Sequence, residues 1–265
     1  MKWTSIWPVV LLALAAALGN QPAEAGLLYG SAGNQRWYTI DPATGDITDV
    51  NTNTLRPVAA LAWDGHTGTM FASNGGNRFF TIDPPTGNIV EINTNTARTV
   101  GTLAFDQNSR TLYATNAGPR LFTIDPATGA ITDLHANTGR NVRALAWEPA
   151  TGLLYGTNGG SVLFTIDPVT GTQTDISTSM ARSVHAMAFD PVTGILYGGN
   201  DSNRFFTIDP ANGAITDINT NTARNIGALQ FVPEPSTLGL ALTAAGLGLA
   251  GVWRSRRRRP GAASA

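Results

Sequence analysis

Short apolar runs alternate with turns rich in Asp, Pro, Thr and Gly between residues 26 and 232, and this pattern returns every 42 residues. The tripeptide Ile-Asp-Pro marks the period, at residues 40–42, 82–84, 124–126, 166–168 and 208–210. Two aromatic series follow the same step: Tyr29, Phe71, Tyr113, Tyr155 and Tyr197, then Trp63, Phe105, Trp147, Phe189 and Phe231. A fixed period of this length is typical of solenoids and propellers.

Each unit predicts four short strands, labelled A to D from the inside outwards. In one unit, strand A covers residues 103–105, B 111–114, C 121–124 and D 130–134. The turns at 125–129 (C–D) and 190–194 (A–B) read Asp-Pro-x-Thr-Gly, in which Asp accepts backbone hydrogen bonds, Pro fixes φ and Gly takes the left-handed conformation. Such tight turns make A–B and C–D antiparallel neighbours. No stretch has a helical period, which excludes the helical-repeat families.

The order of strands along the chain indicates a closed ring. Four antiparallel strands per unit match a propeller blade. The repeats begin at a strand B (27–29) and end at a strand A (229–231), so the last A completes the first B, C and D. In a solenoid, which is open, the first and last strands would not need to complete one another. The sequence therefore predicts an all-β, five-bladed propeller over residues 26–232.

The repeat units resemble the YVTN-type and related secreted propeller repeats. The resemblance rests on Leu-Tyr-Gly at 154–156 and its equivalents, followed by Phe-Thr-Ile-Asp-Pro-x-Thr-Gly and Leu-Ala-Phe-Asp. The Tyr-Val-Thr-Asn signature itself is absent. Propellers serve many functions, so this resemblance implies the blade and no activity.

Residues 1–25 are predicted to form a secretory signal peptide. Lys2 supplies the positive start, residues 9–18 the apolar run, and Ala23-Glu24-Ala25 a cleavage site after Ala25. The alternative is an N-terminal membrane anchor, for which the apolar run is too short.

The C-terminal residues 233–265 combine Pro233-Glu234-Pro235, an apolar stretch at 238–253 and an arginine cluster at 254–259. The apolar stretch would form a helix of about 24 Å, which flanking Ser, Thr and snorkelling Arg extend to membrane thickness. Because basic residues stay cytoplasmic, the preceding chain would lie outside the inner membrane. A plain single-pass anchor is one interpretation.

These three parts, in this order, resemble the PEP-CTERM sorting signal of Gram-negative bacteria. The resemblance implies that an exosortase-type membrane protease is a partner and removes the tail. It also implies export across the inner membrane, transient anchoring by the transmembrane helix, and delivery to the cell surface or extracellular exopolysaccharide.

Composition narrows the classes of function. The 265 residues include no Cys, which excludes disulfide scaffolds, thiolate metal sites and cysteine catalysis. Charged residues make up 13% of the chain, and the formal net charge of −1 argues against nucleic acid as a partner.

The charges are nevertheless segregated, because antiparallel order puts B–C and D–A loops on one face and A–B and C–D turns on the other. Ten of the eleven arginines in residues 26–232 fall on the B–C and D–A side. One series lies in the D–A loops: Arg56, Arg98, Arg140, Arg182 and Arg224. A second lies in the B–C loops and is broken by Val162: Arg36, Arg78, Arg120 and Arg204. The opposite face carries the Asp of the turns, with Arg110 alone among them.

We predict that this arginine-rich face binds an anionic polymer, because guanidinium groups hold carboxylates, sulfates and phosphates through two parallel hydrogen bonds. The Asn residues of the B–C loops would assist: Asn74, Asn116, Asn158 and Asn200. In the alternative interpretation, each D–A arginine pairs with the carboxylate seven residues earlier in the same unit: Asp49, Glu91, Asp133, Asp175 and Asp217.

Catalysis requires an asymmetric set of groups, which in a repeat protein means residues that break the repeat. These include Asp46, His66, His135, Arg143, His185 and Asp201. Arg143 and His185 occupy equivalent positions near the channel mouth and are the candidate local ligand site. No acidic residue breaks the pattern on an inner strand, and no metal-ligand cluster, phosphate loop or nucleophile elbow is present.

The sequence therefore predicts a non-enzymatic surface or matrix protein without metal or cofactor, which binds or organises acidic exopolysaccharide. The alternatives are a protein–protein scaffold in the envelope and a lyase or hydrolase of acidic polysaccharide.

Overall fold

The structure, a computed structural model, describes residues 26–233, and these form strands joined by turns and loops. The predicted signal peptide (1–25), Glu234 and Pro235, the transmembrane helix (238–253) and the arginine cluster (254–259) lie outside the described residues. The division of the chain at these boundaries stays a prediction.

Twenty strands follow one another along the described chain. They are β1 (Leu27–Ser31), β2 (Trp37–Ile40), β3 (Ile47–Asn51), β4 (Ala60–Asp64), β5 (Thr69–Ser73), β6 (Phe79–Ile82), β7 (Ile89–Asn93), β8 (Thr102–Asp106), β9 (Thr111–Thr115), β10 (Leu121–Ile124), β11 (Ile131–His135), β12 (Ala144–Glu148), β13 (Leu153–Thr157), β14 (Leu163–Ile166), β15 (Gln173–Ser177), β16 (Ala186–Phe189), β17 (Leu196–Asn200), β18 (Arg204–Ile208), β19 (Ile215–Asn219) and β20 (Ala228–Val232).

The strands form five four-stranded antiparallel sheets, one per blade. Four blades are continuous in sequence, and the first has the order β20-β1-β2-β3. Strand β20 pairs with β1 over its whole length, with Leu28 opposite Phe231 and Ser31 opposite Ala228. The predicted five-bladed propeller, closed by joining the last strand A to the first B, C and D, is confirmed.

Side-chain hydrogen bonds explain why the Asp-Pro turns recur. In the turn after β10, one carboxylate oxygen of Asp125 accepts the N–H groups of Ala127 and Thr128 at 2.8 and 2.9 Å. Gly129 has φ of 68° and donates its N–H to the Asp125 carbonyl at 2.8 Å. This left-handed residue would strain any side chain, so glycine ends each such turn.

The hydrophobic core lies between adjacent blades. One cluster combines Phe71 and Phe79 of the second blade with Leu103 and Phe105 of the third. Aromatic rings stack across these interfaces, for example Phe71 on Phe105 with ring centroids 6.1 Å apart. Each large apolar side chain buried in this way contributes about 1.5–3 kcal/mol, so packing between blades stabilises the ring.

Candidate functional site

The loops divide the charged side chains between two faces, as the antiparallel order predicts. We call the side formed by the B–C and D–A loops the basic face and the side formed by the A–B and C–D turns the acidic face. Every D–A loop leads from the outer strand of one blade to the inner strand of the next. Its arginine therefore sits at a blade interface.

Each D–A arginine forms a salt bridge with the outer strand of the following blade. Arg98 Nε donates to Asp133 Oδ1 at 2.8 Å, 35 residues along the chain. The same contact joins Arg56 to Glu91, Arg140 to Asp175, Arg182 to Asp217 and, across the ring closure, Arg224 to Asp49. The alternative interpretation is therefore right about the outer-strand carboxylates as partners and wrong about which one each arginine contacts. The partner lies 35 residues ahead and not seven residues back, because the D–A loop crosses to the next blade before it reaches the arginine.

Most of these carboxylates are approached by a second arginine, from the B–C loop of their own blade. Arg78 Nη1 lies 3.3 Å from Glu91 Oε1, and Arg36 lies 3.6 Å from Asp49. Arg204 lies 3.7 Å from Asp217. The pKa of Asp133 is lowered mainly by its hydrogen bond from Arg98, with a smaller contribution from the charge of Arg120.

The fourth blade departs from this arrangement. Its B–C loop carries Val162 in place of the second arginine, so in the described residues Asp175 pairs with Arg140 alone. The basic face as a whole has ten arginines against six carboxylates, five on the outer strands and Asp201. It keeps an excess of positive charge after pairing.

The Asn series of the B–C loops builds the loops themselves. The side-chain oxygen of Asn74 accepts the N–H groups of Gly76 and Arg78 at 3.0 and 3.1 Å. Asn116 and Asn158 make the equivalent bonds. Their oxygens are thus engaged within the loops, and the contribution of their N–H₂ groups to holding a polymer stays a prediction.

Arg143 and His185 line the basic-face opening of the central channel, beside inner-strand residues such as Leu145 and Ala186. His185 Nδ1 lies 2.7 Å from Asp201 Oδ2, so two residues that break the repeat contact each other. The space between the channel walls is about 20 Å³, enough for one or two water molecules. The ligand-binding role of Arg143 and His185 stays a prediction.

His135 has a structural explanation. Its Nε2 lies 3.0 Å from the Pro168 carbonyl in the C–D turn of the next blade. Asn51 and Asn93 hold the equivalent position in their blades and donate to the carbonyls of Thr86 and Thr128. His135 thus replaces an interface asparagine and contacts the same turn of the next blade at a carbonyl two residues earlier.

The acidic-face end of the channel holds a site that the sequence analysis missed. A cavity of about 300 Å³ is lined by five inner-strand aromatic residues, one per blade, which define the aromatic cavity: Trp63, Phe105, Trp147, Phe189 and Phe231. His66, Gln107 and Pro233, the first residue of the Pro-Glu-Pro tripeptide, also line it. The sequence did carry a signal for this cavity. An aromatic residue recurs in every strand A, and strand A lines the central channel of a propeller.

Two side chains that line this cavity, Gln107 and Trp147, differ in their hydrogen bonding. Gln107 donates to the Trp63 carbonyl at 2.5 Å and accepts the Gly65 N–H at 2.9 Å, so it serves as part of the wall. The indole N–H of Trp147 is buried and has no hydrogen-bond partner among the described residues.

Within residues 26–233 there is no group of three His, Asp or Glu side chains placed to hold a metal ion. The same residues contain no helix long and apolar enough to cross a membrane.

Comparisons with known proteins agree with this architecture. The family DUF6923, described as a repeat of unknown function, matches residues 103–244. The PEP-CTERM protein-sorting motif matches residues 231–259. The resemblance to YVTN-type repeats stays a prediction. A comparison with curated proteins finds no match.

Among solved structures, one described as the crystal structure of a nidogen/laminin complex is similar. It is 13% identical, with a TM-score of 0.57, and the match covers 78% of this chain and 98% of that one. A likeness at this identity concerns the fold alone.

Proposed function

We propose that this chain, which belongs to the DUF6923 family of repeats of unknown function, is a non-enzymatic surface propeller that binds acidic polysaccharide through its basic face. Its PEP-CTERM motif indicates export, a membrane-anchored C-terminus before cleavage, and processing by an exosortase. The export and the fold set the context, and the polysaccharide is our inference.

The observation that carries the proposal is the surplus of arginines over carboxylates on the basic face. The D–A arginines form close salt bridges and hold the blades together. Both series are about one third exposed, and they differ in distance: Arg36, Arg78 and Arg204 lie 3.3–3.7 Å from the same carboxylates. Pairs this loose and exposed contribute little to stability, so these guanidinium groups can turn toward an external anion.

The proposed contact residues are therefore mainly the B–C arginines, and the D–A arginines have a supporting role. Arg36, Arg78, Arg120 and Arg204 would make the direct contacts, with Arg143, which is exposed beside the channel. The predicted residues Arg56, Arg98, Arg140, Arg182 and Arg224 would position the face by fixing the blades. His185, engaged with Asp201, would lie inside this ring of arginines.

The non-enzymatic assignment is part of our inference and rests on the repetition of the charged side chains, since catalysis requires an asymmetric set of groups. Neither the envelope-scaffold alternative nor the lyase or hydrolase alternative has an observation of its own among the described residues.

The test is binding of the full chain to dextran sulfate and to uncharged dextran, at low and high salt. We expect binding to dextran sulfate alone, weakened by salt because the contacts are exposed charges. Changing Arg36, Arg78, Arg120 and Arg204 together to Gln should abolish it. Arg110→Gln, on the acidic face, is the matched control and should bind normally.

Binding that survives the fourfold change, or equal binding of uncharged dextran, would refute the proposal. Thermal melting of the fourfold variant separates lost binding from lost fold, because each D–A salt bridge remains in it.

A further inference from the structure

We propose that the aromatic cavity binds a small organic cation of about the size of choline. This site lies at the opposite end of the channel from the basic face and is independent of the polysaccharide proposal.

The walls and volume of the cavity suit such a ligand. Trp63, Trp147 and Phe189 are each half-buried, and the cavity they line measures about 300 Å³. Aromatic rings attract cations, and quaternary ammonium groups are commonly bound by several aromatic residues together.

Buried negative charge next to the walls favours a cation over a neutral or anionic ligand. Asp106, Glu148 and Asp190 directly follow three of the wall residues and are only 4–6% exposed. They accept hydrogen bonds from turn N–H and hydroxyl groups, for example Asn108 N–H and Ser109 hydroxyl to Asp106. Among the described residues none of the three pairs with a cation, whereas the equivalent Asp64 pairs with Arg110 at 2.9 Å.

The charges of these carboxylates act on the tyrosines of the neighbouring strands. The pKa of Tyr113, Tyr155 and Tyr197 is raised, first by burial and then by the charges of Asp106, Glu148 and Asp190 respectively. A buried carboxylate without a counter-charge is costly. The three carboxylates do not line the cavity, so they would attract a cation there at a distance and without direct contact.

The experiment measures binding of choline and of 3,3-dimethyl-1-butanol, its uncharged isostere, to the full chain by isothermal titration calorimetry. We expect choline to bind at least about tenfold more tightly, since only choline carries the charge that the carboxylates attract. Glucose serves as a neutral polar ligand and should bind more weakly than choline.

Asp106→Asn and Asp190→Asn remove one charge each while the amide oxygen still accepts the turn N–H. Each should weaken choline binding about threefold or more and leave the isostere unchanged. Asp64→Asn is the matched control, because that charge is already paired with Arg110, and it should have a smaller effect.

The inference would be overturned if choline showed no binding at concentrations up to about 50 mM. It would also be overturned if the isostere bound as tightly as choline, or if glucose bound more tightly. The melting temperature of each variant identifies any that fails to fold, and the two Asp→Asn variants test the charge independently of each other.

Discussion

At the scale of single residues, position 162 shows what the paired arginines do. Asp49, Glu91 and Asp217 each lie within 4 Å of two arginines, whereas Asp175 contacts only Arg140 in the described chain. Val162 stands where the second arginine would be. The fourth blade is therefore a natural single-arginine variant of its neighbours.

This difference predicts unequal effects of one substitution. Arg140→Gln should leave Asp175 without a cation and lower the melting temperature by about 1–3 °C, the value of a partly exposed pair in a domain of this size. Arg182→Gln should have a smaller effect, because Arg204 still faces Asp217. Differential scanning calorimetry of both variants checks this. Equal shifts would mean that the second arginines do not compensate.

The partner of each D–A arginine could not be read from the sequence. With a 42-residue period, the position seven residues before Arg98 and the position 35 residues after it are equivalent in the repeat. Both carry a carboxylate, Glu91 and Asp133. Only the path of the loop, which crosses to the next blade, decides between them. Strands and turns were predictable because their signals lie within a few residues.

At the scale of elements, the Asp turns make the stability of the blades depend on pH. The pKa of Asp125 and of Asp167 is lowered first by the backbone N–H groups of Ala127 and Val169, which favour the ionised carboxylate. The pKa of Asp133, at a blade interface, is lowered by Arg98. The turns and the interfaces therefore depend on the same protonation state.

A lowered pKa in the folded chain means that the unfolded chain takes up protons first as pH falls. The stabilisation from these groups should be complete above about pH 5 and be lost as pH drops below about 4. Thermal melting between pH 7 and pH 3 should show a flat melting temperature, then a decline. Asp133→Asn should reduce the decline, and a melting temperature that rises below pH 4 would contradict the assignment.

At the scale of the whole molecule, ring closure brings the first and last strands of the repeats into one sheet and separates charge between two faces. The two faces differ strongly, with ten arginines and six carboxylates on one side and ten carboxylates and Arg110 on the other. The polarity was predictable from loop alternation alone. The width of the channel, and hence the aromatic cavity, depends on how the blades tilt around the ring, which no local pattern specifies.

The most direct test of the central claim locates the polymer on the molecule. Hydrogen–deuterium exchange of the full chain, with and without dextran sulfate, reports on each loop separately. The account predicts slower exchange in the B–C loops around Arg36, Arg78, Arg120 and Arg204, with no change in the A–B and C–D turns. Slower exchange confined to those turns, or none at all under conditions where the polymer binds, would contradict it.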